Sequence, residues 1–154
     1  MKALIVYDSM YGNTEKIAKA IGHAIVDDVK VLPISEANLA KLESLDFLII
    51  GSPTQGFRPT KSVQAFIDNL PDNALKGKNV AAFDTRIPAH EVGRGLRQIM
   101  KMGGYAAPRI ARALEKKGGN LAAPPEGFFV EDKEGPLKAG ELERAAGWAK
   151  ELAK

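Results

Sequence analysis

Four short apolar runs recur along this chain of 154 residues, and each gap between them carries a helical pattern. That alternation constrains the fold more than any single residue does. The runs are Ala3 to Tyr7, Val29 to Ile34, Phe47 to Ile50 and Val80 to Phe83. Each is nearly continuous in apolar residues rather than alternating, as expected of strands covered on both faces of a parallel sheet. A fifth strand is expected at Gly127 to Val130, or earlier around Leu121; Pro124 and Pro125 interrupt that region.

The gaps read as amphipathic helices. Ile17, Ile21 and Ile25 recur at four-residue spacing, and Val63, Phe66, Ile67 and Leu70 form a stripe that Pro71 stops. Ala107, Ile110, Ala111 and Leu114 form another, with Pro108 in the first turn and Gly118-Gly119 after the end. Leu142, Ala145, Ala149 and Leu152 line the last, flanked by Trp148 as a packing residue. Strand and helix in alternation predict a doubly wound α/β fold, one domain over residues 1–154. Right-handed crossovers put the C-terminal strand ends on one rim, where ligands of such sheets bind. Three loops leave that rim: Asp8 to Asn13, Ser52 to Thr60, and Asp84 onward. The connection from Phe83 to Tyr105 is long for a compact domain and predicts a surface flap or dimer contact ahead of a lid. Within it, Val92, Leu96, Ile99 and Met100 are spaced like a short helix.

The first loop, Ser9-Met10-Tyr11-Gly12-Asn13-Thr14, passes from a strand straight into a helix. Such a turn aims backbone N–H groups at one point and suits a phosphate. Ser9, Asn13 and Thr14 add side-chain donors, and Gly12 permits the tight turn. The loop lacks the lysine of a Walker loop and the three glycines of a dinucleotide fingerprint, so a single phosphate monoester held by neutral donors fits best. The alternative is an ordinary turn in which Asn13 or Thr14 caps the helix. In the second loop, Pro53-Thr54-Gln55-Gly56-Phe57 offers main-chain groups to the edge of a planar heterocycle; Phe57 stacks on a ring or plugs the loop from beneath. In the third, Asp84-Thr85-Arg86 puts a carboxylate at a strand end, to cap a turn or to receive an N–H from a bound ring. His90 is a candidate proton donor. No nucleophile, base and orienting group can be assembled, so the site is expected to hold a cofactor that carries the chemistry.

Composition narrows the classes further. Cysteine is absent, which excludes disulfides, thiolate catalysis and cysteine-held clusters, and with only His23 and His90 no metal site is expected. No apolar run approaches the roughly eighteen residues of a membrane helix, and the N-terminus opens on a strand rather than a signal-peptide pattern. A cytoplasmic location is the expectation. The net charge is +3, yet residues 86–118 hold eight cations against two anions and the remainder sums to −3. That asymmetry is either a solvated face or a docking surface for an acidic protein or anionic cofactor. Nucleic acid is not expected, since no aromatic residues interleave with these charges.

Together the first loop, Gly51-Ser52-Pro53-Thr54 and Asp84-Thr85 resemble the flavodoxin family across essentially the whole chain. The resemblance implies a five-stranded parallel sheet of order 2-1-3-4-5 with helices on both faces; flavodoxin is the type example of that order, with FMN at its switch point. It implies FMN as cofactor, with Ser9, Met10, Tyr11, Gly12, Asn13 and Thr14 on the phosphate. Pro53, Thr54, Gln55 and Gly56 would line the isoalloxazine and ribityl chain, and Asp84, Thr85 and Arg86 would approach the pyrimidine end. Gly56 would carry the peptide that reorients when flavin N5 is protonated. Three departures stand out. The third loop has no aromatic residue to stack on the outer flavin face, leaving Phe57 or Tyr105 to substitute. The chain is basic, with a sequence pI near 9.1, and Arg86 facing the ring would raise the two-electron potential. The third connection is long. The implied function is electron transfer between redox partner proteins with acidic docking surfaces, as a monomer or homodimer. The alternatives are an NAD(P)H:quinone reductase and a non-redox phosphate-binding module.

Overall fold

The computed structural model describes residues 1–25, 27–88 and 105–154. The expected helix around Val92 to Met100, the role of His90 and the cations Arg94, Arg97 and Lys101 lie outside the described residues.

The strands are β1 (Lys2–Tyr7), β2 (Asp28–Pro33), β3 (Phe47–Pro53), β4 (Asn79–Arg86), β5 (Asn120–Leu121) and β6 (Glu126–Phe129). The helices are α1 (Asn13–Ala24), α2 (Lys61–Asp68), α3 (Ala106–Lys116) and α4 (Glu141–Leu152), with short 3-10 turns at Ile34–Glu36 and Leu39–Lys41. All paired strands are parallel, in the order β2-β1-β3-β4-β5, with β6 also beside β4. Both sites expected for the fifth strand are therefore strand. Asn120 and Leu121 pair with Asn79 and Val80, and Glu126 to Phe129 pair with Phe83 to Arg86. Pro124 and Pro125 cannot donate to a ladder, so the chain leaves β4 around them and rejoins it further along.

Burial follows position in the sheet. The central strands β1 and β3 are buried almost throughout, as their continuous apolar sequences require. The expectation of two-sided burial fails for β2, an edge strand whose residues are only half-buried or exposed. Leu4, Val6, Leu48, Ile50, Val80 and Ala82 face α2 and α3 on one side. Ala3, Ile5, Phe47, Ile49, Ala81 and Phe83 face α1 and α4 on the other. Phe83, Phe128 and Trp148 meet edge to face with ring centroids 6.0 to 6.2 Å apart, so Trp148 is a packing residue as expected. Contacts of this kind contribute about 0.5–1.5 kcal/mol beyond their buried area.

In α4 three of the four residues expected on the buried face, Ala145, Ala149 and Leu152, are buried, and Leu142 is the exception. Leu142 is 44% exposed, while Glu141 is buried with Ala145, Ala149 and Leu152. Glu141 is held inside by polar partners. Its carboxylate accepts from the Phe129 amide at 2.7 Å and from Arg144 Nη2 at 2.6 Å. Burial pushes its pKa up, but the hydrogen bonds from Arg144 and Phe129 and the nearby positive charges outweigh that, and the net shift is downward. A carboxylate in a first helical turn is also favoured by the helix dipole.

Candidate functional site

The strand C-terminal ends converge on one cleft of about 480 Å³, within the size range of small-molecule and cofactor sites. The first loop supplies Ser9, Met10, Tyr11, Asn13 and Thr14, the second Pro53 to Gly56, and the third Thr85, Arg86 and Ile87. Eleven of the fourteen residues expected from the sequence are brought together there; Gly12, Phe57 and Asp84 are not in the lining.

The first loop has the geometry of an anion cradle. Gly12 has φ +89° and is the N-cap of α1, a conformation that L side chains adopt only with strain. Asn13 and Thr14 already belong to the helix, so the alternative in which one of them is the cap does not hold. Ser9 Oγ instead accepts from the Gly12 amide at 3.1 Å and more weakly from the Glu15 amide at 3.4 Å. The remaining early amides of α1 have no acceptor a turn back along the helix. The side chains are more engaged than the sequence suggests. Asn13 Nδ2 donates to the Glu134 carbonyl at 3.2 Å, and Thr14 Oγ1 shares a hydrogen bond with Thr85 Oγ1 at 2.9 Å. These two contacts fix the first loop to the rest of the rim.

The second loop is a tight hairpin. The Gln55 amide donates to the Arg58 carbonyl at 2.8 Å, and the Arg58 amide donates back to Gln55 at 2.9 Å. Between them Gly56 and Phe57 both have positive φ, +54° and +67°, the signature of a type I′ turn. Phe57 is thus a bulky residue in the left-handed region, half-buried and away from the cleft lining. Below the turn, Ser52 Oγ accepts from the Thr60 amide at 3.0 Å, and the Thr54 amide donates to the Thr85 carbonyl at 3.0 Å.

Asp84 corrects the sequence reading most. Its carboxylate is not exposed at the rim but fully buried, and it takes no part in the cleft. It accepts two short bonds from Arg86, from Nε at 2.6 Å and Nη2 at 2.7 Å, and one from the Ala107 amide at 2.8 Å. Burial raises its pKa, opposed by Arg86 and the Ala107 amide, and the bidentate geometry is that of a carboxylate–guanidinium pair. Asp84 therefore ties α3 to β4. The Arg86 guanidinium also lies over the Tyr105 ring, 3.6 Å from its centroid. It runs directly across Gly127, where an added Cβ would collide with Nε. Two expectations fall with this arrangement. The charge of Arg86 is balanced by Asp84, so it supplies little net field to raise a flavin potential. Tyr105 is 6% exposed, lies under Arg86 and is not in the cleft lining, so it does not serve as an outer-face stacking ring.

Sequence reasoning missed Ile87, Val130 and Lys133. Val130 and Lys133 come from a fourth rim loop, which follows β6. Glu131 N–H donates to the Pro136 carbonyl at 2.8 Å and closes this loop, and the Asn13 bond to Glu134 docks it on the start of α1. The signal was available: a fifth parallel strand ends on the same rim, so the loop after it had to be counted with the other three. Lys133 also brings a cation to a cleft whose phosphate donors were expected to be neutral.

The sheet and its rim cleft define a doubly wound α/β protein with a cofactor-sized site at its strand ends. The family model for the flavodoxin domain matches residues 4–127. Among curated relatives, a flavodoxin of Clostridium beijerinckii is 34% identical over 84 residues, covering 51% of this chain and 60% of its own. A flavodoxin of Maridesulfovibrio salexigens is 34% identical over 89 residues, covering 53% and 61%. The matched stretches thus span about three-fifths of each of these relatives. Among solved structures, an archaeal flavodoxin superposes with a TM-score of 0.77 at 24% identity, covering 99% of this chain and 96% of its own. Flavodoxin 2 of Bacillus cereus gives 0.72 at 27% identity, covering 99% and 98%. The chain belongs to the flavodoxin family, whose members bind FMN. The cleft fits that group in three respects: volume, the amide-rich turn at one end, and the irregular main chain of Pro53 to Gly56 along one side. No helix among the described residues is long and apolar enough to cross a membrane.

Proposed function

We propose that this chain is an FMN-binding electron carrier that works between redox partner proteins. The observation that carries the reading is the convergence of the αL-capped first turn, the second hairpin and Thr85 on one cleft, with no side-chain catalytic set beside them among the described residues. In it Ser9, Met10, Tyr11, Gly12, Asn13 and Thr14 hold the phosphate, chiefly through main-chain N–H groups and the N-terminus of α1. Pro53, Thr54, Gln55 and Gly56 face the ring and ribityl chain, with Thr85, Arg86, Ile87 and Val130 completing the wall. Bound FMN would supply one- and two-electron redox chemistry. The protein's part is to position it, to limit water around it and to set the local field. The Gly56–Phe57 turn is the element whose main chain adjusts to the protonation state of the ring edge. The partners are proteins with acidic docking surfaces, the location is cytoplasmic, and the 154 residues act as one unit.

Two measurements on purified protein test the reading. Addition of FMN is expected to yield a yellow 1:1 complex, and the dithionite-reduced complex is expected to pass electrons to a redox protein. Rejection of FMN would remove the reading. Oxidation of NADPH with benzoquinone above the rate of free FMN would favour the quinone-reductase alternative instead.

A further inference from the structure

We infer that the groove between α2 and α3 is where a redox partner docks, and that the docking face of that partner is acidic; this rests on the electron-carrier reading above. Arg109, Arg112 and Lys116 follow at three- and four-residue spacing and form one exposed stripe on α3. The opposite face of the helix, with Ala107, Ile110, Ala111 and Leu114, is buried. Arg58 joins the stripe from the exposed second hairpin. Among the described residues none of these four cations has a hydrogen-bond or ion-pair partner for its side chain. Lys117, one residue on, is by contrast consumed internally, donating to the carbonyls of Asp68 and Leu70 at 3.3 and 2.7 Å.

Two depressions of about 160 and 270 Å³ lie along this face. They share Ile67, Asp68, Arg109 and Ala113, so they form one continuous groove with an apolar floor, cations along its α3 wall and the single carboxylate of Asp68 on its α2 wall. Three exposed cations on α3 with Arg58 beside them set up a positive potential that attracts an anionic surface. The stripe also begins beside the cleft. The first amide of α3, on Ala106, donates to Thr54 Oγ1 in the cleft wall at 3.1 Å, and Arg58 is hydrogen-bonded to Gln55 of the same wall. Arg109 sits in the first turn after that junction, and Lys116 lies about 10 Å further along the axis. A protein that grips the stripe therefore abuts the mouth of the cleft. Nucleic acid is the other polyanion to consider, but among the described residues no aromatic side chain lines the groove to stack a base.

The test uses the full FMN-loaded chain, reduced with dithionite and mixed in a stopped flow with two forms of cytochrome c. One is the native basic protein and the other has its lysines succinylated, so the same haem is carried on surfaces of opposite charge. In each encounter the reduced flavin loses one electron, and ferric haem iron gains it and becomes ferrous. The expected result is that the succinylated form is reduced about tenfold faster or more at low salt. The preference should collapse near 1 M salt, where the screening length falls to about 3 Å. The Arg109→Glu/Arg112→Glu variant should abolish the preference without changing FMN affinity, and Arg109→Gln/Arg112→Gln should fall between. Equal rates for the two cytochromes, or variants that behave as wild type, would overturn the docking surface while leaving the electron carrier intact. Binding of a short DNA duplex at physiological salt that is lost in the same variants would overturn it in favour of nucleic acid. A chain that rejects FMN fails the earlier reading; calorimetric titration of that apoprotein with succinylated cytochrome c would still read the docking surface, binding supporting it and no heat refuting it.

Discussion

Asp84 shows how a residue at a strand end takes its role from what packs over it. A carboxylate after an apolar strand reads equally as a ligand group or a structural one, and only the arrival of α3 and Arg86 decides. Neither contact is visible in sequence spacing: the Ala107 amide is 23 residues away, and the Arg86 geometry depends on Gly127 leaving room. Asp84→Asn would leave a mostly buried guanidinium without its counter-charge. The expected loss is about 3 kcal/mol of stability, read from urea unfolding at neutral pH. A loss below about 0.5 kcal/mol would contradict the structural role. Lys133 illustrates the reverse case, a site residue hidden by distance along the chain. Its loop meets the first turn through Asn13 and Glu134, 121 residues apart, which no local pattern encodes. Lys133→Met is expected to weaken FMN binding about threefold at low salt and to leave riboflavin binding unchanged, a magnitude typical of a solvent-exposed charge pair. Equal weakening for both ligands would place the lysine against the ring instead of the phosphate.

At the scale of elements, most of the fold was legible because continuous apolar runs and helical stripes report burial directly. All four leading strands form where the runs lie, and the Pro124-Pro125 break divides the fifth as proline must. The strand order itself came from resemblance, since spacing alone does not state which strand neighbours which. The burial of Glu141 in place of Leu142 at the start of α4 was missed because a hydrophobic count treats Glu141 as a surface residue, although its partners on Phe129 and Arg144 bring it inside. Its pKa is lowered in the fold, so its ionised form adds stability that is present above the unfolded glutamate pKa and lost as pH falls through the folded value. Glu141→Gln is expected to cost about 2 kcal/mol at neutral pH, and the gap to wild type should close in acid as that carboxylate takes up its proton. A pH-independent difference between the two unfolding curves would contradict this. The second hairpin carries strain of a different kind. Phe57 at φ +67° is held where asparagine is tolerated far better. Phe57→Asn is therefore expected to stabilise the chain by about 0.5–1 kcal/mol in the same denaturation assay. No gain would show that the half-buried ring compensates for the backbone.

For the whole molecule, the two sides of the sheet divide the work. One core, under α1 and α4, backs the first-loop turn, and the other, under α2 and α3, supports the basic groove and the second hairpin. The rim joins them through Thr14 to Thr85, Thr54 to Ala106 and Asn13 to Glu134, so the cleft is assembled from four loops that each belong to a different crossover. The central claim is that the amide cradle at the start of α1 recognises the phosphate of FMN. The most direct measurement is a fluorescence titration of the apoprotein with FMN and, separately, with riboflavin, which is the same ring and ribityl chain without the phosphate. The account predicts stoichiometric 1:1 quenching of FMN and an affinity for riboflavin at least about a hundredfold weaker, equivalent to two charge-assisted hydrogen bonds. Equal affinity for the two, or no binding of either, would contradict it.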